Sequence, residues 1–287
     1  GNDLDADNPI IPLANFAIAR RLANDKLTLG FGTFAQGGAG NRYKHVNNVF
    51  GTSDEISSAF RVAKLVPGLA YQSSDKLSLG LAVPIAVADL RQKLFPNTSV
   101  FNPGNVAQTF FGTKLTDALG VSAGLRIGAQ YQLSDAIMLG ITYAPKSKID
   151  LENGELRANL SALGLGEVKY RDATVKGLAL PQEVGLGIAW RASENLQLST
   201  KLAWLDWSAA LKANTLTARR PDNPAAPPTI SNTTALDWRD QYVFALGASY
   251  RLDDRTSLWG GYNYGRNPIP ERTANPLLGT FGEHHVT

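Results

Sequence analysis

Cysteine is absent from the 287 residues, so neither a disulfide framework nor a thiolate metal site is open to this chain. Histidine is scarce: His45 stands alone, and His284 and His285 are neighbours near the last residue. That is too few, and too clustered, for the three or four ligands of a zinc site. There is no run of ~20 apolar residues to make a membrane-crossing helix, and no stretch reads as a signal peptide. No block of five or more Lys or Arg occurs, so a net charge of +3 and a pI near 9.0 do not by themselves imply nucleic acid. Catalytic motifs are missing as well. No Gly-x-Ser-x-Gly surrounds a nucleophile, and the acidic pairs Asp54–Glu55 and Asp253–Asp254 fall in turns or loops. The reading is of a protein that is not an enzyme and carries no cofactor and no metal.

What the chain does have is period two. Leu119, Val121, Ala123, Leu125, Ile127, Ala129, Tyr131 and Leu133 share one face of a strand. Gly120, Ser122, Gly124, Arg126, Gly128, Gln130 and Gln132 share the other, a separation that a helix would smear out. The pattern recurs in Lys76–Val87, Ile137–Leu151, Val184–Trp190, Leu196–Trp204 and Trp238–Arg251. These segments exceed the usual ~5–6 residues of globular strands. Short turns at Asn24–Asp25, Ser73–Asp75, Ser134–Asp135, Ser193–Glu194 and Asp253–Asp254 alternate with long connections at about 37–57, 91–118, 152–180 and 209–236.

Short turns at one end and long loops at the other predict an all-β, antiparallel, up-and-down transmembrane β-barrel, one domain over 1–287 with ten or eleven strands. The mean hydropathy of −0.14 does not oppose this, because lipid-facing and lumen-facing residues alternate and average out. A soluble β-sandwich or lipocalin-like barrel is the alternative. It would carry charge on its outer face, whereas here the non-apolar face is mostly Gly, Ala and Ser. Aromatics near strand ends, such as Tyr131, Trp190, Trp204 and Tyr250, suit interfacial girdles.

Four ordered phrases carry a resemblance: NPIIPLANFAIARRLANDKLTLGFGTFAQGGAGNRY (8–43), VPGLAYQSSDKLSLGLAVPI (66–85), LPQEVGLGIAWRASENLQLSTKLAWLDWS (180–208) and RDQYVFALGASYRLDDRTSLWGGYNYGRNPIPE (239–271). The last two are the specific ones, through Trp204–Trp207 and the Gly-Tyr-Asn-Tyr-Gly before Pro-Ile-Pro. The chain resembles the FadL/TodX family of outer-membrane hydrophobic-compound transporters. That resemblance implies a barrel of about 14 strands with an N-terminal hatch of short helices in its lumen. It also implies a bacterial outer-membrane location and passive transport without covalent chemistry. The ligand would pass from a groove among extracellular loops to a lumenal pocket, then leave sideways where an early strand is kinked. Against that pattern, residue 1 lies just before the second strand and Thr287 at the start of the twelfth. The expectation is therefore a chain without the hatch, the first strand and the closing strands.

Three groups of residues are candidates for ligand contact. Arg126, Lys146, Lys148, Lys201, Arg239 and Arg251 are predicted on the small-residue, lumenal faces, where a cation would hold a ligand carboxylate or join a lumenal charge network. Phe101, Phe110 and Phe111 belong to an apolar cluster in 91–118 that is either a binding patch or the packing core of that loop. Gly37, Gly38 and Gly40 follow the strand Leu27–Phe34, where the resemblance would place the kink of the lateral opening; an ordinary Gly-rich loop is the alternative.

The leading function is passive uptake of long-chain fatty acids, with aromatic hydrocarbons as the alternative cargo. A lipase-like or protease-like barrel enzyme and a structural or adhesive barrel are the readings of other classes. Expected partners are the hydrophobic ligand and outer-membrane lipid and lipopolysaccharide, with no nucleic acid, and the protein is expected to be a monomer.

Overall fold

The alternating segments form strands, and the strands join into two stacked tiers of one antiparallel wall. The computed structural model describes residues 2–7, 14–22, 25–275 and 282–287; the start of the first phrase (8–13) and Asn24 of the first turn lie outside them. A hairpin links β1 (Asn15–Arg21) to β2 (Leu27–Asn47), and β3 (Ser53–Gln72) returns. The next traverses are each broken in two. β4 (Leu77–Ala82) continues as β5 (Ile85–Val100) across Val83–Pro84, and β6 (Phe110–Ala123) as β7 (Arg126–Gln132) across Gly124–Leu125. β8 (Ile137–Ala144) continues as β9 (Ser147–Asn159) across Pro145–Lys146, and β10 (Glu167–Leu180) as β11 (Gln182–Arg191) across Pro181.

β12 (Leu196–Asp206) passes through the single-turn α1 (Trp207–Ala210) into β13 (Ala213–Pro221). β14 (Thr229–Ala235) leads through residues 236–240 into β15 (Gln241–Arg251), followed by β16 (Ser257–Gly265) and β17 (His284–Val286). Among the described residues these make ten traverses and the first residues of an eleventh.

The lower tier pairs in the order β1–β2–β3–β4–β7–β8–β11–β12–β15–β16–β17. The upper tier pairs as β2–β3–β5–β6–β9–β10–β13–β14, so β2 and β3 run through both. Proline has no N–H for a ladder, and Pro84, Pro145 and Pro181 stand where the tiers part. Local bonds replace the missing rungs: Val83 N donates to the Pro67 carbonyl, Gly124 N to the Pro84 carbonyl, and Ser147 Oγ to the Ala123 carbonyl. The result is a crease around the wall.

Below the crease the apolar face points outward and is exposed. Leu79, Leu81, Ile127, Ile141, Leu186, Ile188, Leu202, Phe244 and Leu246 are all exposed, which is the arrangement of a wall solvated by lipid. Tyr71, Tyr131, Trp190 and Tyr250 stand just before their short turns, outward and exposed. A second outward row at the crease runs in register from Tyr143 through Val184 and Trp204 to Tyr242. The row at the short turns is an aromatic girdle, and outward apolar residues continue above the crease at Val87, Leu119 and Val121. At the short turns, the Ser74, Ser193 and Asp253 side chains accept from backbone N–H groups two or three residues on, which fixes the chain reversal.

Above the crease the inner face is packed instead of open. Ala118, Ile149, Leu151, Leu156, Val168, Tyr170, Ala173 and Val175 are buried in one cluster between β6, β9 and β10. Gly120 and Gly154 permit the close approach, since a Cβ on either would press on Asp150 or on Ala118 and Ala173. Tyr170 Oη donates to the Pro227 carbonyl at 3.0 Å, so the turn after β13 folds over the cluster.

This corrects the expected long loops at 37–57, 91–118, 152–180 and 209–236: most of those residues are strand. His45, Phe95, Asp117 and Asn153 have positive φ and sit at register shifts in the β2–β3, β5–β6 and β9–β10 ladders. The shifts at His45, Asp117 and Asn153 each add one residue to one strand and that at Phe95 adds three, and every odd insertion inverts the faces beyond it, which erases period two from the sequence.

Leu186→Arg places a charge in the apolar band and is expected to cost about 2–4 kcal/mol in urea unfolding from bilayers; Ser199→Arg, on the inner face, is expected to cost far less. In the upper tier, Lys169 and then Arg157 hold the Glu155 carboxyl below its usual range, with Lys169 Nζ at 2.9 Å and Arg157 Nε at 2.8 Å. Because its folded pKa lies below the unfolded one, Glu155 contributes fully above the ordinary Glu range near ~4.3 and loses that contribution as acid carries the pH down through the depressed value. Amide exchange in β9 and β10 should therefore rise in acid before exchange in β8 and β11 does.

Candidate functional site

Inward residues of the lower tier are small because β-strand alternation places Gly80, Gly128, Gly140, Gly185 and Gly187 opposite the outward leucines and isoleucines. These glycines, with Thr142 and Lys201, line an open cavity of ≈390 Å³ on the inner wall. A Cβ on Gly140 would meet nothing nearer than the Ala129 carbonyl at 4.0 Å, so the cavity has room for larger groups.

A second, smaller cavity of ≈100 Å³ follows the crease. Lys64, Ser122, Arg126, Glu183, Leu205 and Trp207 are among its walls. Here the tiers separate, side chains from four traverses converge, and the charge is concentrated. Arg126 Nη2 lies 2.6 Å from Glu183 Oε2, and Lys201 Nζ lies 3.4 Å from Glu183 Oε1. Lys64, half-buried on β3, is within electrostatic reach of both Arg126 and Glu183. Two cations thus share one carboxylate with Lys64 lining the same cavity, and Lys201 links this cluster to the glycine-lined cavity. Trp207 Nε1 donates to Gln241 Oε1 at 3.2 Å, and its ring packs on Trp238 with centroids 5.1 Å apart, fixing an indole beside the charges.

Of the six cations predicted in the lumen, Arg126 and Lys201 meet at this cluster. Lys146 and Lys148 do not. The break at Pro145–Lys146 inverts the alternation, so Ser147 and Ile149 turn inward and both lysines are exposed on the opposite face. Lys146 Nζ reaches the Ala209 carbonyl at 3.3 Å. Arg239 lies before β15 and is exposed, with its backbone N bonded to the Pro268 carbonyl. Arg251 Nη2 binds the Glu194 carbonyl and Asn195 Oδ1, bracing a short turn at the far end of the barrel.

The aromatic candidates separate in the same way. Phe110 stacks on Phe50 with centroids 5.1 Å apart and meets Phe95 edge-on at 5.9 Å. Phe111 packs against the upper-tier cluster. Phe101 is the exposed one of the three. Gly37, Gly38 and Gly40 are in β2, paired to Val62, Arg61 and Ala59 of β3, with a register shift between Ala35 and Gly37. A side chain on Gly40 would run into the Ser58 carbonyl, so this close approach requires glycine.

Lys64, Glu183 and Trp207 escaped the sequence analysis. Lys64 alternates with the outward Leu65, Leu69 and Tyr71, and Glu183 with Val184 and Leu186. Extending period two by a few residues would have placed both inside. Trp207 gave no such signal, because α1 interrupts the strand there.

The sequence model of the family described as "Outer membrane protein transport protein (OMPP1/FadL/TodX)" matches residues 2–278. In structure the chain is similar to the Pseudomonas putida toluene transporter TodX, with a TM-score of 0.74, 20% identity, and coverage of 96% of this chain and 71% of that one. It is similar to the Ralstonia pickettii toluene transporter TbuX, with a TM-score of 0.70, 20% identity, and coverage of 89% and 69%. A Pseudomonas aeruginosa FadL homologue gives a TM-score of 0.71 at 17% identity, covering 92% and 62%. At these identities the likeness is one of fold. None of the curated proteins compared with the chain matches it in sequence.

Removing the shared carboxylate tests the cluster. Glu183→Gln leaves Arg126 and Lys201 facing one another without a counter-charge and is expected to cost about 1–3 kcal/mol, read by urea unfolding in bilayers. Arg251→Gln, at the rim, is expected to fall well below that.

Proposed function

This chain belongs to the OMPP1/FadL/TodX family of outer-membrane transport proteins, and from that premise we propose that it admits long-chain fatty acids. The family consists of β-barrels of the Gram-negative outer membrane that transport hydrophobic compounds. The observation that carries the fatty-acid reading is the unequal charge at the crease: Lys64, Arg126 and Lys201 around the single carboxylate of Glu183. A fatty acid brings the missing anion. Its carboxylate takes a charge-assisted hydrogen bond from Lys201 or Arg126, and its tail lies along the glycine-lined cavity. An aromatic hydrocarbon offers these cations only the weaker attraction of a ring face and no counter-charge.

In this reading the exposed Phe101 belongs to an outer capture surface, with Phe110 and Phe111 supporting it from beneath. The ligand leaves through the wall at the bulge beside Gly37, Gly38 and Gly40. Glu183 acts as the resident competitor: it holds the cations in place while the site is empty and yields one of them to an incoming carboxylate. No bond is made or broken, so Arg126 and Lys201 serve as binding groups only. Aromatic hydrocarbon uptake is the second reading, and the Trp207 indole in the crease cavity favours it.

The test compares oleate with oleyl alcohol in binding to the detergent-solubilised protein. Arg126→Ala with Lys201→Ala should weaken oleate by about tenfold or more, in line with loss of charge-assisted bonds, and leave the alcohol unchanged. Equal binding of oleate by the double variant and the parent would remove the carboxylate role. Binding of toluene with no binding of oleate would move the assignment to aromatic hydrocarbons. Gly140→Phe fills the lower cavity and should block uptake by cells while the barrel stays folded.

A further inference from the structure

On the outward face of the upper tier the strand register sets four cations side by side. Lys93 on β5 stands directly opposite Lys114 on β6, Lys114 opposite Arg157 on β9, and Arg157 opposite Lys169 on β10. Their strand neighbours Leu115, Leu156, Ala158, Val168 and Tyr170 are buried on the inner face, so alternation turns the four cations outward. Like charges directly opposite in a ladder are destabilising, and a row of four adds that cost at each step.

Carboxylates pair three of the four cations and leave Lys114. Glu55 Oε2 lies 3.1 Å from Lys93 Nζ and Glu55 Oε1 lies 3.1 Å from Arg42 Nε. Glu155 reaches Lys169 and Arg157, and Glu167 reaches Arg157 Nη1 at 3.2 Å. Lys114, in the middle, has no ion-pair partner among the described residues. Arg157 gives Nε to Glu155 and one Nη1 hydrogen to Glu167, and its side chain is 39% exposed.

The height of the row above the membrane indicates what it meets. On β6 the outward apolar residues Val121 and Leu119 are exposed, and Lys114 lies beyond them by about 15 Å along the strand at ~3.3 Å per residue. With barrel strands tilted ~45° the rise is about 10 Å. That is above the hydrocarbon and within the sugar layer of the outer leaflet of a Gram-negative outer membrane. In register with Leu119, Asp89 stands opposite Arg61 and also meets Arg91 two residues above, so the positive character begins lower down.

We propose that the row Lys93–Lys114–Arg157–Lys169 is a docking surface for lipopolysaccharide, gripping the phosphate groups of its core sugars. Phosphate suits the row chemically: Lys114 offers a compact charge that no carboxylate holds among the described residues, and Lys93 on one side and the remaining N–H groups of Arg157 on the other supply further donors. A bound phosphate also supplies the anion that the middle of the row lacks. The inference depends on the outer-membrane location and not on the identity of the transported ligand.

The test titrates the detergent-solubilised protein with purified lipopolysaccharide carrying core phosphates, and with the same lipopolysaccharide after chemical removal of those phosphates. The parent should bind the phosphorylated form about tenfold more tightly, as expected for charge-assisted contacts. Lys114→Gln should abolish most of that preference, and Lys114→Gln with Arg157→Gln the remainder. Lys114→Gln breaks no ion pair among the described residues, so the single variant decides the matter if the double variant fails to fold. A preference that survives Lys114→Gln overturns the proposal. So does equal binding of the two forms by the parent, or equal competition by phosphatidylglycerol or by inorganic phosphate. Oleate binding should be the same in Lys114→Gln and the parent, which separates failure of this docking surface from failure of the transport reading.

Discussion

A peptide group in hydrocarbon has no water to bond with, and each one left unpaired costs several kcal/mol. The lower tier answers that cost with continuous antiparallel ladders from β1 to β17, whose outward side chains are apolar and uncovered. Every interruption of the ladders falls where polar substitutes are at hand. The breaks at Pro84, Gly124 and Pro145 are bridged by local backbone and hydroxyl bonds, near the outward row of Tyr143, Trp204 and Tyr242.

The crease also creates the charged site. Side chains from β3, β7, β11 and β12 converge there, with Glu183 holding Arg126 and Lys201. Above it, Ile149, Leu151, Leu156 and Tyr170 close the inner space with their own bulk. Below it, glycine leaves that space open. One wall thus carries a packed cap and a hollow lower chamber, and the difference is a matter of side-chain volume on the inward face.

The lower tier was legible in the sequence because nothing disturbs its alternation: Leu119–Leu133 keeps one parity even across Gly124–Leu125. The upper tier was not legible, since bulges at His45, Phe95, Asp117 and Asn153 each invert the pattern within a few residues. The same physics divided the candidate site. Arg126 and Lys201 lie on strands with undisturbed parity and were placed inward correctly. Lys146 and Lys148 follow a proline break and were not. Phe110 and Phe111 showed as an apolar cluster, but composition cannot distinguish an exposed patch from rings already packed on Phe50 and the upper-tier core.

The bulges have an evolutionary consequence. In a regular strand, gaining or losing one residue turns every later side chain to the wrong face, and a wall solvated by lipid does not tolerate that. A bulge absorbs the odd residue where it occurs, and the proline breaks stop any remaining shift from passing downward. The outer hairpins can therefore change length from lineage to lineage while the membrane wall keeps its phase. What the protein presents to the outside is free to drift, and what it presents to the lipid is not.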